Sequence, residues 1–123
     1  MIKVVGVIKS FDAVKALDGV SCKMRSGAIY GMLGSNGAGK STLMRIIAGI
    51  MKPDGGTVLI EDLPVYDHPA IKERVFLVPD DPYYIGQASM QDMARFYARF
   101  YPSFDWDIYH QLADLFPLDP KRR

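Results

Sequence analysis

The sequence has few of the features that mark secreted, zinc-binding or membrane-spanning proteins. Its single cysteine, Cys22, cannot form an intramolecular disulfide, and no second cysteine or close histidine pair completes a zinc site. No apolar run approaches the ~20 residues that span a bilayer, and the first residues lack a signal-peptide cleavage site. Basic and acidic residues nearly balance, at 15 and 14, without the basic excess of a nucleic-acid-binding protein. We therefore expect a cytosolic chain with no nucleic-acid partner.

What the sequence does contain is enough apolar material for one packed core, because 49% of its 123 residues are hydrophobic. Residues 2–8 and about 20–24 have strand-like composition, and the Asp18-Gly19 dipeptide between them predicts the turn of an antiparallel pair. Residues 57–60 are predicted to return beside these strands.

Two other short apolar segments predict strands of a second kind. Residues 28–33 are apolar without alternation, which is typical of a central strand buried on both faces of a mostly parallel sheet. Residues 75–78 form a similar run that ends at Pro79. The polar stretch from residue 80 to residue 89 is rich in proline, glycine and aspartate and predicts a loop.

Three helices are predicted from periodicity and capping. One follows the glycine-rich segment and ends near Gly49. A second begins at a capping box formed by Ser89 and Asp92, and a third begins near Asp105. The aromatic residues of this carboxyl-terminal part could suggest base stacking, but their helical spacing without interleaved basic residues favours a core.

The segment that carries chemistry matches G-x-x-x-x-G-K-[ST], the pattern of a phosphate-binding loop before a helix. Its glycines let backbone N–H groups approach phosphates, Lys40 supplies a positive charge, and the Ser41 hydroxyl can bind Mg²⁺. The helix that follows points its positive end at the anion. The alternative is a glycine-rich turn with a surface lysine. The predicted phosphate-binding residues are Gly34, Ser35, Asn36, Gly37, Ala38, Gly39, Lys40, Ser41 and Thr42.

With this motif in view, the chain resembles the amino-terminal part of an ATP-binding cassette (ABC) transporter subunit. The sequence GSNGAGKSTL carries most of the resemblance, and LDGVS before it and IAGI with PDGG after it support it. The resemblance implies an α/β P-loop NTPase fold of the ABC ATPase type, incomplete, with an amino-terminal antiparallel β portion and the start of a helical subdomain. It divides the chain into an ATP-binding core, residues 1–88, and the beginning of that subdomain, residues 89–123.

The resemblance also implies two further site residues. Phe11 occupies the place of the aromatic residue that stacks on adenine, where Tyr is usual; the alternative is an ordinary strand-end aromatic. Asp80 stands where the family has the glutamine of its Q-loop, a Mg²⁺ and water contact, whereas Asp80 and Asp81 could simply form a turn. Gln87 lies too far along the chain to be the first substitute.

Several family motifs do not occur in these residues, namely the LSGGQ-like signature, the Walker B strand that ends in Asp-Glu, and the switch histidine. No complete catalytic set is present, so we expect a natural or engineered fragment that binds Mg²⁺-ATP with at most slow hydrolysis. The segment at 28–33 would lack a neighbouring strand, which predicts self-association.

The intact subunit is expected to be an ATPase that powers solute transport. It would pair head to tail with a second subunit and dock on a membrane permease at the inner face of the membrane. The alternatives are a soluble cassette protein of translation or DNA repair, and a truncated remnant without activity.

Overall fold

The chain folds into two compact units in a computed structural model that describes residues 1–121. The first unit is Met1–Leu77, and the second begins at Val78. None of the helices within the described residues is long and apolar enough to cross a membrane.

A four-stranded antiparallel sheet forms the frame of the first unit. Strands β1 (Ile2–Phe11) and β2 (Val14–Met24) form a hairpin, and β3 (Gly55–Ile60) pairs with the other edge of β1. The two-residue β4 (Leu63–Pro64) completes the order β2-β1-β3-β4. The predicted antiparallel pair and the return of residues 57–60 beside it are confirmed.

The predicted turn at Asp18-Gly19 is wrong. The hairpin turns earlier, at residues 12 and 13, where Asp12 adopts a left-handed φ of 49°. Asp18 and Gly19 instead lie inside β2, where the pairing shifts register between Val7↔Val20 and Lys9↔Leu17. An Asp-Gly pair therefore forms a bulge here, because residues on both sides of it keep strand partners.

The predicted strands at 28–33 and 75–78 are also wrong, because neither segment belongs to a sheet within the described residues. Ile29 and Leu33 are almost fully exposed, at 103% and 95%. Both segments border one cavity of about 440 Å³ together with residues of β2 and of the helix after the glycine-rich loop. An apolar segment becomes a strand only when a neighbouring backbone supplies ladder hydrogen bonds, and no strand of residues 1–121 pairs with either segment.

Helix α1 (Lys40–Ile47) covers the sheet and closes the apolar core. Its buried side chains, Leu43 and Ile46, pack in one cluster with residues of the sheet and of the short helix α2 (Pro69–Lys72). Cys22 is half-buried and packs against the same cluster. The buried members of this core are Val4, Val7, Leu17, Leu43, Ile46, Val58, Ile60, Val65 and Ile71.

The second unit contains the two predicted carboxyl-terminal helices, α3 (Met90–Ala98) and α4 (Trp106–Leu115). Ser89 accepts a hydrogen bond from the Asp92 amide while the Asp92 carboxylate accepts one from the Ser89 amide, so the predicted capping box is confirmed. Asp105 caps α4. Aromatic rings pack edge to face within this unit, as between Phe104 and Trp106. The predicted aromatic core is wrong for several of them, because Tyr83, Tyr84 and Phe100 are 69%, 70% and 59% exposed.

Candidate phosphate-binding site

The glycine-rich loop lies between residue 33 and α1 and is open to solvent. Residues 33–38 are exposed, and the loop is tightened by a 3.2 Å hydrogen bond from the Ala38 amide to the Ser35 carbonyl. It leads directly into Lys40, the first residue of α1. The order of loop and helix is therefore the one that the motif predicts, although the segment before the loop is not in a sheet.

The amino-terminal end of α1 is left open for an anion. Among the described residues, no side chain caps this helix and its first turn contains no acidic residue. The first N–H groups of any α-helix have no partner inside the helix, and together they carry part of the positive end of its dipole. In α3, by contrast, Ser89 and Asp92 occupy those groups. An oxyanion at the start of α1 would thus meet free donors and a favourable field.

Two glycines of the loop adopt a backbone conformation that other residues rarely take. Gly37 has a φ of 84° and Gly39 a φ of 82°. Gly39 also packs tightly on β2, since a Cβ there would lie 2.4 Å from the Ala16 carbonyl oxygen and 2.9 Å from Leu17 Cδ2. Gly39 therefore fixes the base of the loop against the sheet.

The Lys40 ammonium is held across the loop and does not extend into solvent. Its Nζ donates hydrogen bonds of 2.7 Å to the carbonyl oxygens of Gly34 and Ser35. A positive charge anchored at this point suits the β and γ phosphates of a nucleotide. Ser41, the next residue, is exposed on the first turn of the helix.

The hydroxyl of Ser41 suits a magnesium ion that is shared with phosphate oxygens. No group of three or more His, Cys, Asp or Glu side chains within the described residues is arranged to hold a metal. Mg²⁺ at nucleotide sites is commonly held by one or two protein groups together with phosphates, so Ser41 fits that pattern.

Phe11 lies in the same unit as the loop, at the tip of the hairpin. It pairs with Val14 and is 44% exposed. The Lys9 ammonium lies 5.7 Å from the centroid of its ring. Because β2 contacts the loop through Ala16 and Leu17, the ring stands at the hairpin end nearest to that contact.

Asp80 belongs to the second unit and is exposed in a segment without regular secondary structure. Gln87, in the same unit, has a left-handed φ of 63°. The structure thus brings the loop residues and Phe11 into one unit and places Asp80 in the other. The metal contact of Asp80 stays a prediction.

Asp54 was not among the residues predicted to form the site, yet it makes three contacts with the end of β1. Its amide donates to the Ile8 carbonyl at 2.9 Å, and its carboxylate accepts from the Ser10 amide and from Lys9 Nζ, each at 2.7 Å. The bond from Lys9 and then the bond from Ser10 lower the pKa of the Asp54 carboxyl. The only sequence signal was the Pro53-Asp54 turn, which does not reveal partners so distant in the chain.

A glycine-rich loop that leads into an uncapped helix, in a fold of sheet and helices, is typical of one class of protein, the P-loop NTPases. Residues 17–119 match the family model described as ABC transporter. The chain therefore belongs to the ABC transporter family.

Curated relatives agree with this assignment. The chain is 29% identical to the ABC transporter ATP-binding protein YtrB of Bacillus subtilis over 100% of this chain and 42% of that one. It is 43% identical to the xylose/arabinose import ATP-binding protein XylG of Sulfolobus acidocaldarius over 76% of this chain and 34% of that protein. The chain thus spans less than half the length of these relatives.

Solved structures show the same fold. A putative ABC transporter ATP-binding protein from Pyrococcus furiosus superposes with a TM-score of 0.80 at 22% identity, over 99% of this chain and 60% of that chain. A nucleotide-free ATP-binding cassette from an ABC transporter superposes with a TM-score of 0.65 at 27% identity, over 85% of this chain and 42% of that one. The predicted P-loop fold of the ABC ATPase type is confirmed.

Proposed function

We propose that this chain is the nucleotide-binding part of an ABC transporter ATP-binding subunit and that it binds Mg²⁺-ATP. The observation that carries the proposal is the open start of α1, which follows the glycine-rich loop and holds Lys40 across it. Family membership supports ATP as the nucleotide, and the names of relatives such as XylG support import driven by ATP binding.

Each site residue has a proposed role. Backbone N–H groups of the loop bind the phosphates, Lys40 neutralises the β and γ phosphates, and the Phe11 ring stacks on adenine. Ser41 binds the metal ion together with phosphate oxygens. A metal contact by Asp80 is proposed from the family resemblance alone. The proposed phosphate-binding residues are Gly34, Ser35, Asn36, Gly37, Ala38, Gly39, Lys40, Ser41 and Thr42.

The proposal assigns the two parts of the chain different tasks. Residues 1–88 contain the ATP-binding core, and residues 89–123 begin a helical subdomain; this boundary falls inside the second compact unit. The whole subunit pairs head to tail with a second one and docks on a membrane permease from the cytoplasmic side. The exposed apolar segment at 28–33 favours self-association of this chain.

Hydrolysis is assigned to the whole subunit. Phosphoryl transfer depends on a positioned water and on charge that encloses the γ phosphate. These 123 residues contain neither a signature motif nor a Walker B glutamate. We therefore propose that the chain binds Mg²⁺-ATP and releases phosphate slowly at most.

Calorimetric titration of the 123-residue chain with Mg²⁺-ATP tests this proposal. Lys40→Ala should abolish binding, because the anchored ammonium is lost from the loop. Lys23→Ala is the matched control: Lys23 is exposed on β2, near the strand end farther from Leu17, and its loss should leave affinity within about twofold. Equal affinities of the wild type and Lys40→Ala, or phosphate release near one per second, would contradict it.

A further inference from the structure

The last residues of β1 extend beyond its pairing with β3. Pairing between β1 and β3 ends at Ile8↔Gly55, so within the described residues Lys9, Ser10 and Phe11 have ladder partners only in β2. A strand end bonded on one side alone is free to twist and fray. Something else must fix the last residues if the Phe11 ring is to have a defined orientation.

Asp54 supplies that support from the turn before β3. Its backbone amide bonds to Ile8, and one carboxylate oxygen accepts from the Ser10 amide at 2.7 Å, which takes the place of a ladder bond. The other oxygen pairs with Lys9 Nζ at 2.7 Å. One side chain thus fixes both the backbone and the side chain of the residues that precede Phe11.

The Lys9 side chain extends this support to the ring itself. Residues two apart in a strand lie on the same face, and the Lys9 ammonium lies over the Phe11 ring, 5.7 Å from its centroid. The Lys9 side chain is only 17% exposed, whereas Phe11 is 44% exposed. One face of the ring is therefore covered by a held cation, and the ring keeps exposed surface for a ligand.

We propose that Asp54 is a positioning residue for the purine base of the nucleotide, and that it acts through Lys9 and Ser10 to fix the Phe11 ring on which the base stacks. The inference rests on the proposed function, since it requires a nucleotide whose phosphates bind in the loop after residue 33. Asp54 itself does not touch the nucleotide.

Two ligands separate this role from a general structural one. Mg²⁺-ATP reports on the phosphate site and the base together, whereas inorganic tripolyphosphate with Mg²⁺ reports on the phosphate site alone. Removing an aromatic side chain on which a base stacks typically weakens binding by roughly 5- to 150-fold, so Phe11→Ala should weaken ATP binding by that factor. Asp54→Ala should weaken ATP at least about threefold, and each variant should leave tripolyphosphate affinity within about twofold.

A double-variant cycle gives the sharpest readout. If Asp54 acts through the ring, Phe11→Ala/Asp54→Ala should bind ATP no more weakly than Phe11→Ala alone. Lys9→Met keeps the apolar stem and removes the ammonium, so it should weaken ATP binding and leave tripolyphosphate binding unchanged. This variant preserves the Ser10 bond to Asp54 and serves as the test if Asp54→Ala does not fold.

The inference would be overturned by equal losses of affinity for ATP and tripolyphosphate in Asp54→Ala, by additive losses in the double variant, or by unchanged ATP affinity in both Asp54→Ala and Lys9→Met. Unchanged ATP affinity in Phe11→Ala would also overturn it. In that case the proposed function would still hold if Lys40→Ala abolishes ATP binding. If the wild type binds neither ligand, the proposed function itself fails.

Discussion

Replacing Gly39 by alanine tests how the phosphate-binding loop is fixed to the sheet. The new alanine would have to keep a left-handed φ of 82°, and its Cβ would lie 2.4 Å from the Ala16 carbonyl oxygen. The backbone conformation costs about 1–2 kcal/mol for an L-residue. Displacing β2 or the loop to relieve the contact costs about 1–3 kcal/mol more. We therefore expect the free energy of unfolding to fall by about 2–5 kcal/mol.

Gly37→Ala is the matched control in the same loop. Gly37 has nearly the same φ, 84°, but apart from Gly37 and its two chain neighbours no described residue has an atom within 4 Å of the position its Cβ would take. Only the cost of the left-handed backbone conformation applies, so the free energy of unfolding should fall by about 1–2 kcal/mol. Any stabilisation through the unfolded chain is shared by the two substitutions and cancels in their difference.

Urea unfolding followed by far-ultraviolet circular dichroism measures both losses without nucleotide. Hydrogen exchange of the β1 amides would show whether the loss reaches the sheet of the first unit. The difference between the variants should be at least about 1 kcal/mol. Equal losses would refute the conclusion that Gly39 packs on Ala16.

Three further predictions concern other parts of the chain. Ser89→Ala removes a side chain that caps α3 and should cost about 1 kcal/mol of stability in thermal unfolding, while an unchanged melting temperature would argue against the capping box. The pKa of Asp54 is lowered by Lys9 and Ser10, so the stability from these bonds is present above about pH 4 and is lost as the pH falls through the lowered pKa. Urea midpoints should therefore fall more steeply in acid for the wild type than for Asp54→Asn, and parallel curves would contradict this. Light scattering should give the wild type a mass above that of a monomer, and Ile29→Lys should lower this mass because Ile29 is a fully exposed apolar side chain. A monodisperse monomeric wild type would count against self-association.

Local signals predicted the parts of the structure that depend on neighbouring residues. The motif, the helix after it and the capping box at Ser89 each lie within a few residues, so composition and spacing were sufficient. The hairpin turn was misplaced because an Asp-Gly pair favours a turn and also fits a bulge, and the long pairing of β1 with β2 decides between them.

The remaining differences come from partners that are distant in sequence. Residues 28–33 have the composition of a buried strand, but a strand also requires a neighbouring backbone, which composition does not reveal. Asp54 is separated by 45 residues from Lys9 and by 44 from Ser10, so no local pattern linked this turn to Phe11. The sequence therefore predicted the phosphate-binding motif of the candidate site but not the contacts of Asp54 that hold the end of β1.

Site-resolved nuclear magnetic resonance during titration with Mg²⁺-ATP tests the central claim most directly. We expect the largest amide shift changes on Gly37, Gly39, Lys40 and Ser41, where the loop meets the open start of α1. Lys40→Ala should remove these changes. Shift changes confined to another surface, such as the one where the Lys52 and Lys72 ammonium groups lie over the Tyr66 ring, would contradict a phosphate site at this loop.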